Sequence, residues 1–189
     1  PVFPLAWKET ESTGYREQGF LPEAVINFLA LLGWNPGTEE ELLDLQSLVA
    51  SFDLSRVHKA GARFDPEKNR WFNQQHIQRL PDSKWIKECE KVLAEEKVSY
   101  DKKILSDAAS LIQNRVVVTK DIWEELKVFF EGPTSYDEKA VKKAWKDQSA
   151  SILLKVCEGL KEKPNSDSDQ TKQMLVSIAN QHQTGLGAV

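Results

Sequence analysis

The sequence of 189 residues lacks several features that define whole classes of protein. No run of about 18 apolar residues is present, and the longest apolar stretch, at residues 24–32, is interrupted by Asn27 and too short to span a bilayer. The two cysteines have no Cys-x-x-Cys spacing, which argues against both a disulfide framework and a zinc site. We therefore expect a soluble protein of the reducing cytoplasm, without a membrane partner.

Features of an autonomous active site are equally scarce. The chain has three scattered histidines, no glycine-rich phosphate loop and no paired His and carboxylate spacing of the kind that binds metals. Cys89 and Cys157 fall on apolar faces of predicted helices, where a thiol behaves as a small hydrophobe rather than as a nucleophile. We predict no catalytic residue, no metal site and no cofactor in this chain.

Charge is distributed unevenly along the chain. The formal net charge is -4, yet residues 56–79 contain six basic and only two acidic residues. A basic segment on an acidic molecule can attract a polyanion to one face, although on charge alone an ordinary solvated helix face is the commoner explanation. For His58 and His76 we favour solvated or capping roles over contacts with RNA. The six basic residues are Arg56, Lys59, Arg63, Lys68, Arg70 and Arg79.

The spacing of apolar residues predicts helices along most of the chain. A proline near the start and a glycine past the end delimit a helix at residues 21–32, and Pro66 opens another. A helix that begins after Ser135 is expected to run unbroken from residue 137 to about residue 161. The remaining helix starts are predicted at the capping box Thr38 with Glu41, near Ser83, after Asp101, at Thr119, at the capping box Ser135 with Glu138, and near Thr171.

Strand patterns of useful length do not occur. Val116 to Val118 is β-branched, but three residues are more typical of a connector than of a strand. We therefore predict an all-α fold with a helical subdomain at residues 1–80 and a helical bundle or cage at residues 81–189, the change of character falling near Pro81.

Three sets of side chains are expected to share helix faces or the core. An apolar stripe at helical spacing is formed by Leu42, Leu45, Leu48, Val49 and Phe52. Three tryptophans are expected in the core rather than as base-stacking platforms, namely Trp85, Trp123 and Trp145. A third stripe consists of Ile104, Ala108, Leu111 and Arg115.

Arg115 is the leading candidate for recognition of a base. Reading of unstacked bases requires planar, bidentate donors on a rigid scaffold, and a guanidinium group satisfies the first condition. The competing interpretation, given equal weight, is that the positive charge interacts with the C-terminus of its own helix.

Two blocks of sequence resemble one family. Residues 14–34, GYREQGFLPEAVINFLALLGW, and residues 64–73, FDPEKNRWFN, closely resemble consecutive blocks of bacterial-type glutamyl-tRNA synthetases, with the Phe-Asp, Lys and Trp-x-Asn signature in the second. One departure is Asn69, which stands where the family usually has an apolar residue and is expected to loosen the local packing.

The resemblance implies a tRNA-binding fragment of a larger enzyme. Residues 1–80 would contact the inner bend of tRNA(Glu), and residues 81–189 would form an anticodon-binding cage shortened at its C-terminal end. The family's HIGH and KMSKS signatures, which handle ATP, would lie upstream of Pro1, where the sequence has no initiating Met. The tRNA-binding residues would be Arg56, Lys59, Arg63, Lys68, Arg70, Asn73 and Arg115.

By the same resemblance, the full-length parent is a glutamate–tRNA ligase that uses glutamate, ATP and Mg²⁺, whereas this chain alone is inactive. It would be a monomer and would not bind DNA. The resemblance is equally compatible with a parent that charges only tRNA(Glu) and with one that also charges the glutamine isoacceptor. Two other functions fit the composition, namely a free-standing RNA-binding module and an all-α protein-interaction scaffold without catalysis.

Overall fold

A computed structural model describes residues 13–58, 61, 63–164 and 166–188 of the chain. Within these residues the secondary structure is helical, and the only β-type pairing is a single bridge between Trp34 and Val57. The predicted all-α fold is therefore confirmed. The α-helices are α1 (Pro22–Gly33), α2 (Leu45–Ser51), α3 (Pro66–Gln78), α4 (Asp82–Glu95), α5 (Lys102–Ile112), α6 (Ile122–Leu126), α7 (Glu138–Ala144), α8 (Ser149–Glu162) and α9 (Ser168–Gln181).

None of the helices among the described residues has both the length and the apolar character needed to cross a membrane. By tertiary contacts the chain divides into two compact units, Pro1–Gly132 and Pro133–Val189.

Helices α1 and α3 pack against each other and begin at proline, as the sequence predicts. Proline suits the first helical turn because its missing N–H would have no partner there. At α3 the Asp65 carboxylate also accepts hydrogen bonds from the N–H groups of Glu67 and Lys68. Helix α1 contributes Ala24 and Phe28 to the buried surface.

Helices α4, α5 and α6 enclose the main hydrophobic core. Trp85 is 1% exposed, as expected, and its indole N–H donates to the carbonyl of Ala109 at 2.8 Å. Trp123 is partly buried against this core. Leu21, Ala24 and Ile77 belong to the same core, so apolar packing is continuous across the predicted boundary at residue 80. That boundary stays a prediction about domain organisation.

Helix α2 begins at Leu45, six residues later than the capping box at Thr38 predicts. Its cap is Asp44, whose carboxylate accepts from the N–H of Ser47 at 2.7 Å. The predicted apolar stripe is not buried as a unit, because Leu48 is buried whereas Val49 is exposed.

Helix α5 is capped by Asp101 as predicted, but it buries a face different from the predicted one. Leu105, Ala108, Ala109 and Ile112 are buried, while Ile104 and Leu111 are exposed. The helix ends at Ile112, so Arg115 lies in the turn beyond it and does not extend an apolar stripe.

The segment after Thr119 is less regular than the single helix that the sequence predicts. Two 3-10 turns, Thr119–Asp121 and Lys127–Phe129, flank the short α6. Thr119 is not the cap; instead, the carboxylate of Asp121 accepts from the N–H groups of Val117 and Val118.

In the second compact unit, the long helix predicted to end near residue 161 is two helices, α7 and α8, interrupted at residues 145–148. The cap of α7 is Asp137, which accepts from the N–H of Ala140 at 2.7 Å, and not Ser135. Helices α8 and α9 pack together, with Ile152, Ile178 and Ala179 buried. Trp145 is 54% exposed, so the prediction that it lies in a core is wrong.

Candidate nucleic-acid interface

The predicted basic segment borders an open groove rich in carboxylates. The groove, about 1100 Å³ in volume, lies between the end of α1, residues 34–41 and the start of α3. Its lining includes Arg63 and Lys68, together with five acidic residues: Glu39, Glu40, Glu41, Asp65 and Glu67. An uninterrupted positive strip is therefore not observed on this side of the molecule.

Lys68 is already engaged within the groove. Its ammonium group lies 2.6 Å from the Glu41 carboxylate and 5.8 Å from the centroid of the Phe72 ring. A surface ion pair of this kind is worth at most about 1 kcal/mol, so a phosphate could replace Glu41 at modest cost. The pair nevertheless lowers the positive charge that Lys68 presents to an anion.

Two other predicted basic residues support the local backbone. A guanidinium N–H of Arg56 donates to the carbonyl of Pro36, and one of Arg79 donates to the carbonyl of Leu42 at 3.2 Å. Both side chains remain exposed, as does Arg63, for which no ion pair is found within the described part of the chain. Lys59 lies outside the described residues.

Asn73, predicted as a tRNA-binding residue, is fully buried. Its side-chain oxygen accepts from the N–H of Leu21 at 2.7 Å, and its amide nitrogen donates to the carbonyl of Val117 at 2.6 Å. The side chain thus joins the start of α1 to the segment after α5. In this structure it offers no surface to a nucleic acid, and we leave it out of the candidate interface.

The exposed side of α3 carries Arg70 and is joined by hydrogen bonds to the turn that carries Arg115. Arg70 is exposed. Gln74 lies one helical turn further along α3, a rise of about 6 Å along the helix axis. Its side-chain amide donates a hydrogen bond to the carbonyl of Asn114 at 3.3 Å. Gln78 donates to the same carbonyl at 3.3 Å. Arg115 follows Asn114 directly, so these two hydrogen bonds link the exposed side of α3 to the turn that carries Arg115.

Arg115 has a side chain that is 72% exposed. Its guanidinium group lies 3.7 Å from the Glu125 carboxylate, a distance that leaves the group free to exchange this partner for another anion. Trp71 of α3 is 41% exposed and adds an aromatic surface beside Arg70. We call this surface the α3 face and define it as Arg70, Trp71, Gln74, Asn114 and Arg115.

Sequence reasoning missed Trp71 and Asn114 as members of the α3 face. The helical spacing of residues 70, 74 and 78 could have identified one exposed side of α3. No comparable signal exists for Asn114, because its position depends on hydrogen bonds to residues about 40 positions away. The α3 face can grip phosphates through its two guanidinium groups and can stack a base against the indole.

His76 and the buried Cys89 have structural environments. His76 contacts the side-chain oxygen of Asn27 at 3.0 Å, and burial lowers the pKa of His76, so its ring is neutral at physiological pH. Burial also raises the pKa of Cys89 to about 12, so its thiol does not ionise. The described residues contain no group of three or more His, Cys, Asp or Glu arranged to bind a metal ion.

Comparisons with known protein families match both parts of the chain. Residues 75–189 match the family described as anticodon binding domain, and residues 6–71 match the family described as tRNA synthetases class I (E and Q), catalytic domain. The two matches meet near the middle of α3.

Two full-length proteins to which the chain is similar are both glutamate–tRNA ligases. The chain is 44% identical over 194 residues to a glutamate–tRNA ligase of Christiangramia forsetii and 43% identical over 191 residues to that of Flavobacterium johnsoniae. All of this chain is covered in both cases, but it spans only 38% of the length of these relatives.

Solved structures agree with these comparisons. A glutamate tRNA ligase from Elizabethkingia meningosepticum, in complex with its amino acid, superposes with a TM-score of 0.87 at 39% identity. The glutamate-tRNA synthetase of Elizabethkingia anophelis gives a TM-score of 0.79 at 38% identity. Each comparison covers the whole of this chain and 38% of the solved chain.

Proposed function

Because the chain belongs to the family of bacterial-type glutamyl-tRNA synthetases, as the segment that includes the anticodon-binding domain, we propose that it binds and positions tRNA(Glu). Residues up to about 80 contact the inner bend of the tRNA, and the helices after residue 81 recognise its anticodon. The observation that carries this proposal is the match of residues 75–189 to the anticodon-binding family.

The proposal assigns the chemistry to the remainder of the parent enzyme. This chain does not match 62% of the relatives' length (100 − 38). In that part of the parent, glutamate would be joined to tRNA(Glu) with the use of ATP and Mg²⁺. This chain contributes tRNA affinity and orientation, and so raises the local concentration of the acceptor end at the reacting groups. We expect it to act as a monomer, and in the cytoplasm because protein synthesis takes place there.

Within this function, we assign the main tRNA contact to the α3 face. A-form RNA hides its base edges in a deep, narrow groove, so a helix recognises it by contacts to phosphates and 2′-hydroxyls. Arg70 and Arg115 supply bidentate donors for phosphate oxygens, and both side chains are exposed. Arg56, Arg63 and Lys68 contribute less, because the carboxylates of the neighbouring groove repel the RNA backbone.

A matched pair of double variants tests this assignment. Arg70→Gln with Arg115→Gln removes two charges from the α3 face, whereas Arg63→Gln with Lys68→Gln removes two charges from the groove. Affinity for tRNA(Glu) is measured by fluorescence anisotropy at several salt concentrations. We expect the first variant to bind at least about tenfold more weakly, with a log–log salt slope smaller by roughly 1.4–1.8, since each neutralised phosphate contributes about 0.7 to 0.9.

The groove variant should lose less than about threefold in affinity, because Lys68 is paired with Glu41 and five carboxylates line the same groove. Equal losses in the two variants would extend the interface to the groove. Wild-type affinity in the first variant would remove the α3 face from the proposal, and absence of any salt-dependent tRNA binding by the unmodified chain would reject the function itself.

A further inference from the structure

Two glutamines of α3 hold the turn that follows α5. The side-chain amides of Gln74 and Gln78 each donate to the carbonyl of Asn114 at 3.3 Å. A backbone carbonyl has two lone pairs and can accept both hydrogen bonds. Because both bonds lie at the exposed surface, water could satisfy this carbonyl in their absence. The two glutamines therefore fix the position of the turn rather than satisfy a buried atom.

A third glutamine binds in the opposite direction, from the turn back to α3. The side-chain amide of Gln113 donates to the carbonyl of Ile77 at 2.8 Å and to that of Leu80 at 3.0 Å, at the C-terminal end of α3. The last carbonyls of a helix lack a partner in a following helical turn, so a side-chain donor placed there joins the two segments. We call Gln74, Gln78 and Gln113 the amide clamp.

Arg115 lies within the turn that the amide clamp holds. Its N–H donates to the carbonyl of Ile112 at 2.8 Å, and the next residue, Val116, is fully buried in the main hydrophobic core. One residue further along, the carbonyl of Val117 accepts from the amide of Asn73 at 2.6 Å. The backbone is thus held on both sides of Arg115, while its side chain is 72% exposed.

We infer that the amide clamp positions Arg115 for its contact with tRNA(Glu), an inference that rests on the function proposed above. A long side chain on a mobile backbone loses more conformational freedom on binding a phosphate than one whose backbone is already fixed. By fixing the backbone before the RNA arrives, the clamp lowers the entropic cost of ordering the guanidinium group. The three glutamines are positioning residues, which act through Arg115 and need no contact with the RNA themselves.

Backbone dynamics of the free chain test whether the clamp holds the turn. Gln74→Met with Gln78→Met keeps the approximate length of both side chains but removes their donors, and Gln113→Met removes the opposite end of the clamp. The order parameter of the Arg115 amide is measured by ¹⁵N relaxation without RNA. We expect it to fall from about 0.85 to below about 0.6 in both variants. The control is Gln46→Met, the same chemical change at an exposed position of α2, which should leave it unchanged.

A double-mutant cycle on the affinity for tRNA(Glu) tests whether the clamp acts through Arg115. Each clamp variant is made in the unmodified chain and in Arg115→Gln, and binding is measured by fluorescence anisotropy at one salt concentration. We expect each clamp variant to weaken binding about three- to tenfold in the unmodified chain. In Arg115→Gln the same changes should cost less than about twofold, because a positioning residue has no effect once the group that it positions is gone.

Equal losses in both backgrounds would overturn the inference, because a role in stability alone, or a direct contact of Gln74 with the RNA, does not require Arg115. An unchanged Arg115 order parameter in both variants would overturn the clamp itself. Should Gln113→Met fail to reach native helix content by circular dichroism, the milder pair of changes on α3 decides the outcome. Absence of tRNA binding by the unmodified chain would reject the proposed function and this role with it, even where the order parameters fall as expected.

Discussion

At the scale of single residues, two buried asparagines on α3 make opposite contributions to stability. The side-chain oxygen and the side-chain nitrogen of Asn73 each have a hydrogen-bond partner. The side-chain oxygen of Asn69, a residue only 2% exposed, has none. A buried polar atom without a hydrogen bond retains the cost of losing water without compensation. Asn69 is thus the energetically unfavourable member of this pair.

Leucine has nearly the shape of asparagine without its polar groups, so Asn→Leu substitutions separate the two cases. We expect Asn69→Leu to raise the free energy of unfolding by about 1–2 kcal/mol, because no partner is lost. Asn73→Leu should lower it by about 2–4 kcal/mol, because the N–H of Leu21 and the carbonyl of Val117 lose their buried partners. Urea denaturation at constant pH measures both, and changes of the same sign in the two variants would contradict this account.

Burial explains why the role of Asn73 could not be predicted from the sequence. Its partners lie 52 and 44 positions away along the chain, so no local pattern distinguishes it from the exposed Arg70 three residues earlier. Arg70 and Arg115 were both identified from the sequence as donors for RNA. The link between the two segments that carry them could not be, because it depends on the hydrogen bond between Gln74 and Asn114.

At the scale of elements, the turn before α1 is tied to the segment before α6. Gly19 has a φ of +84°, and its carbonyl accepts from the N–H of Thr119 at 2.8 Å. A Cβ added at Gly19 would lie 2.9 Å from the backbone nitrogen of Lys120 and 2.9 Å from the hydroxyl of Thr119. Only glycine therefore fits both the backbone conformation and the close approach of the second segment.

We accordingly expect Gly19→Ala to lower the free energy of unfolding by roughly 2–3 kcal/mol, from backbone strain and steric contact together. The control is Gly132→Ala, since an added Cβ at Gly132 meets no atom within 4 Å. Thermal unfolding followed by circular dichroism compares the two. A loss at Gly132 as large as that at Gly19 would show that the effect is not specific to the turn.

Helix starts were predictable where one residue dominates the local choice. Pro22, Pro66 and Asp101 mark α1, α3 and α5 as the sequence predicts. The capping box at Thr38 fails for a tertiary reason. The side chain of Asn27 donates to the carbonyl of Glu41 and accepts from the N–H of Leu43, so these groups are unavailable to a helix and α2 starts only after Asp44.

At the scale of the whole molecule, electrostatics depends on which segments meet. The sequence correctly locates a local excess of basic residues between positions 56 and 79. It does not reveal that Glu39, Glu40 and Glu41 line the same groove as Arg63 and Lys68. Charge counted along a chain therefore identifies candidate donors, but the field they produce follows from the tertiary contacts.

The two compact units differ in how much apolar surface each one buries. In the unit Pro1–Gly132, helices α4, α5 and α6 supply Trp85, Leu93, Leu105, Ile112 and Ile122 to one core. Within the described residues of the unit Pro133–Val189, the buried side chains are Ile152, Ile178 and Ala179. Since local opening requires less free energy where fewer apolar contacts are lost, the second unit should open more often.

Amide hydrogen exchange followed by mass spectrometry measures this difference directly. We expect amides in α4 and α5 to exchange at least about 100-fold more slowly than amides in α7, α8 and α9, after correction for intrinsic rates. A chain ending at Gly132 serves as the control and should keep the protection of α4 and α5 within about threefold, because their hydrophobic core lies entirely within that unit. Equal protection in the two units would mean that they open together, and that the small buried core of α8 and α9 is not what sets the stability of the second unit.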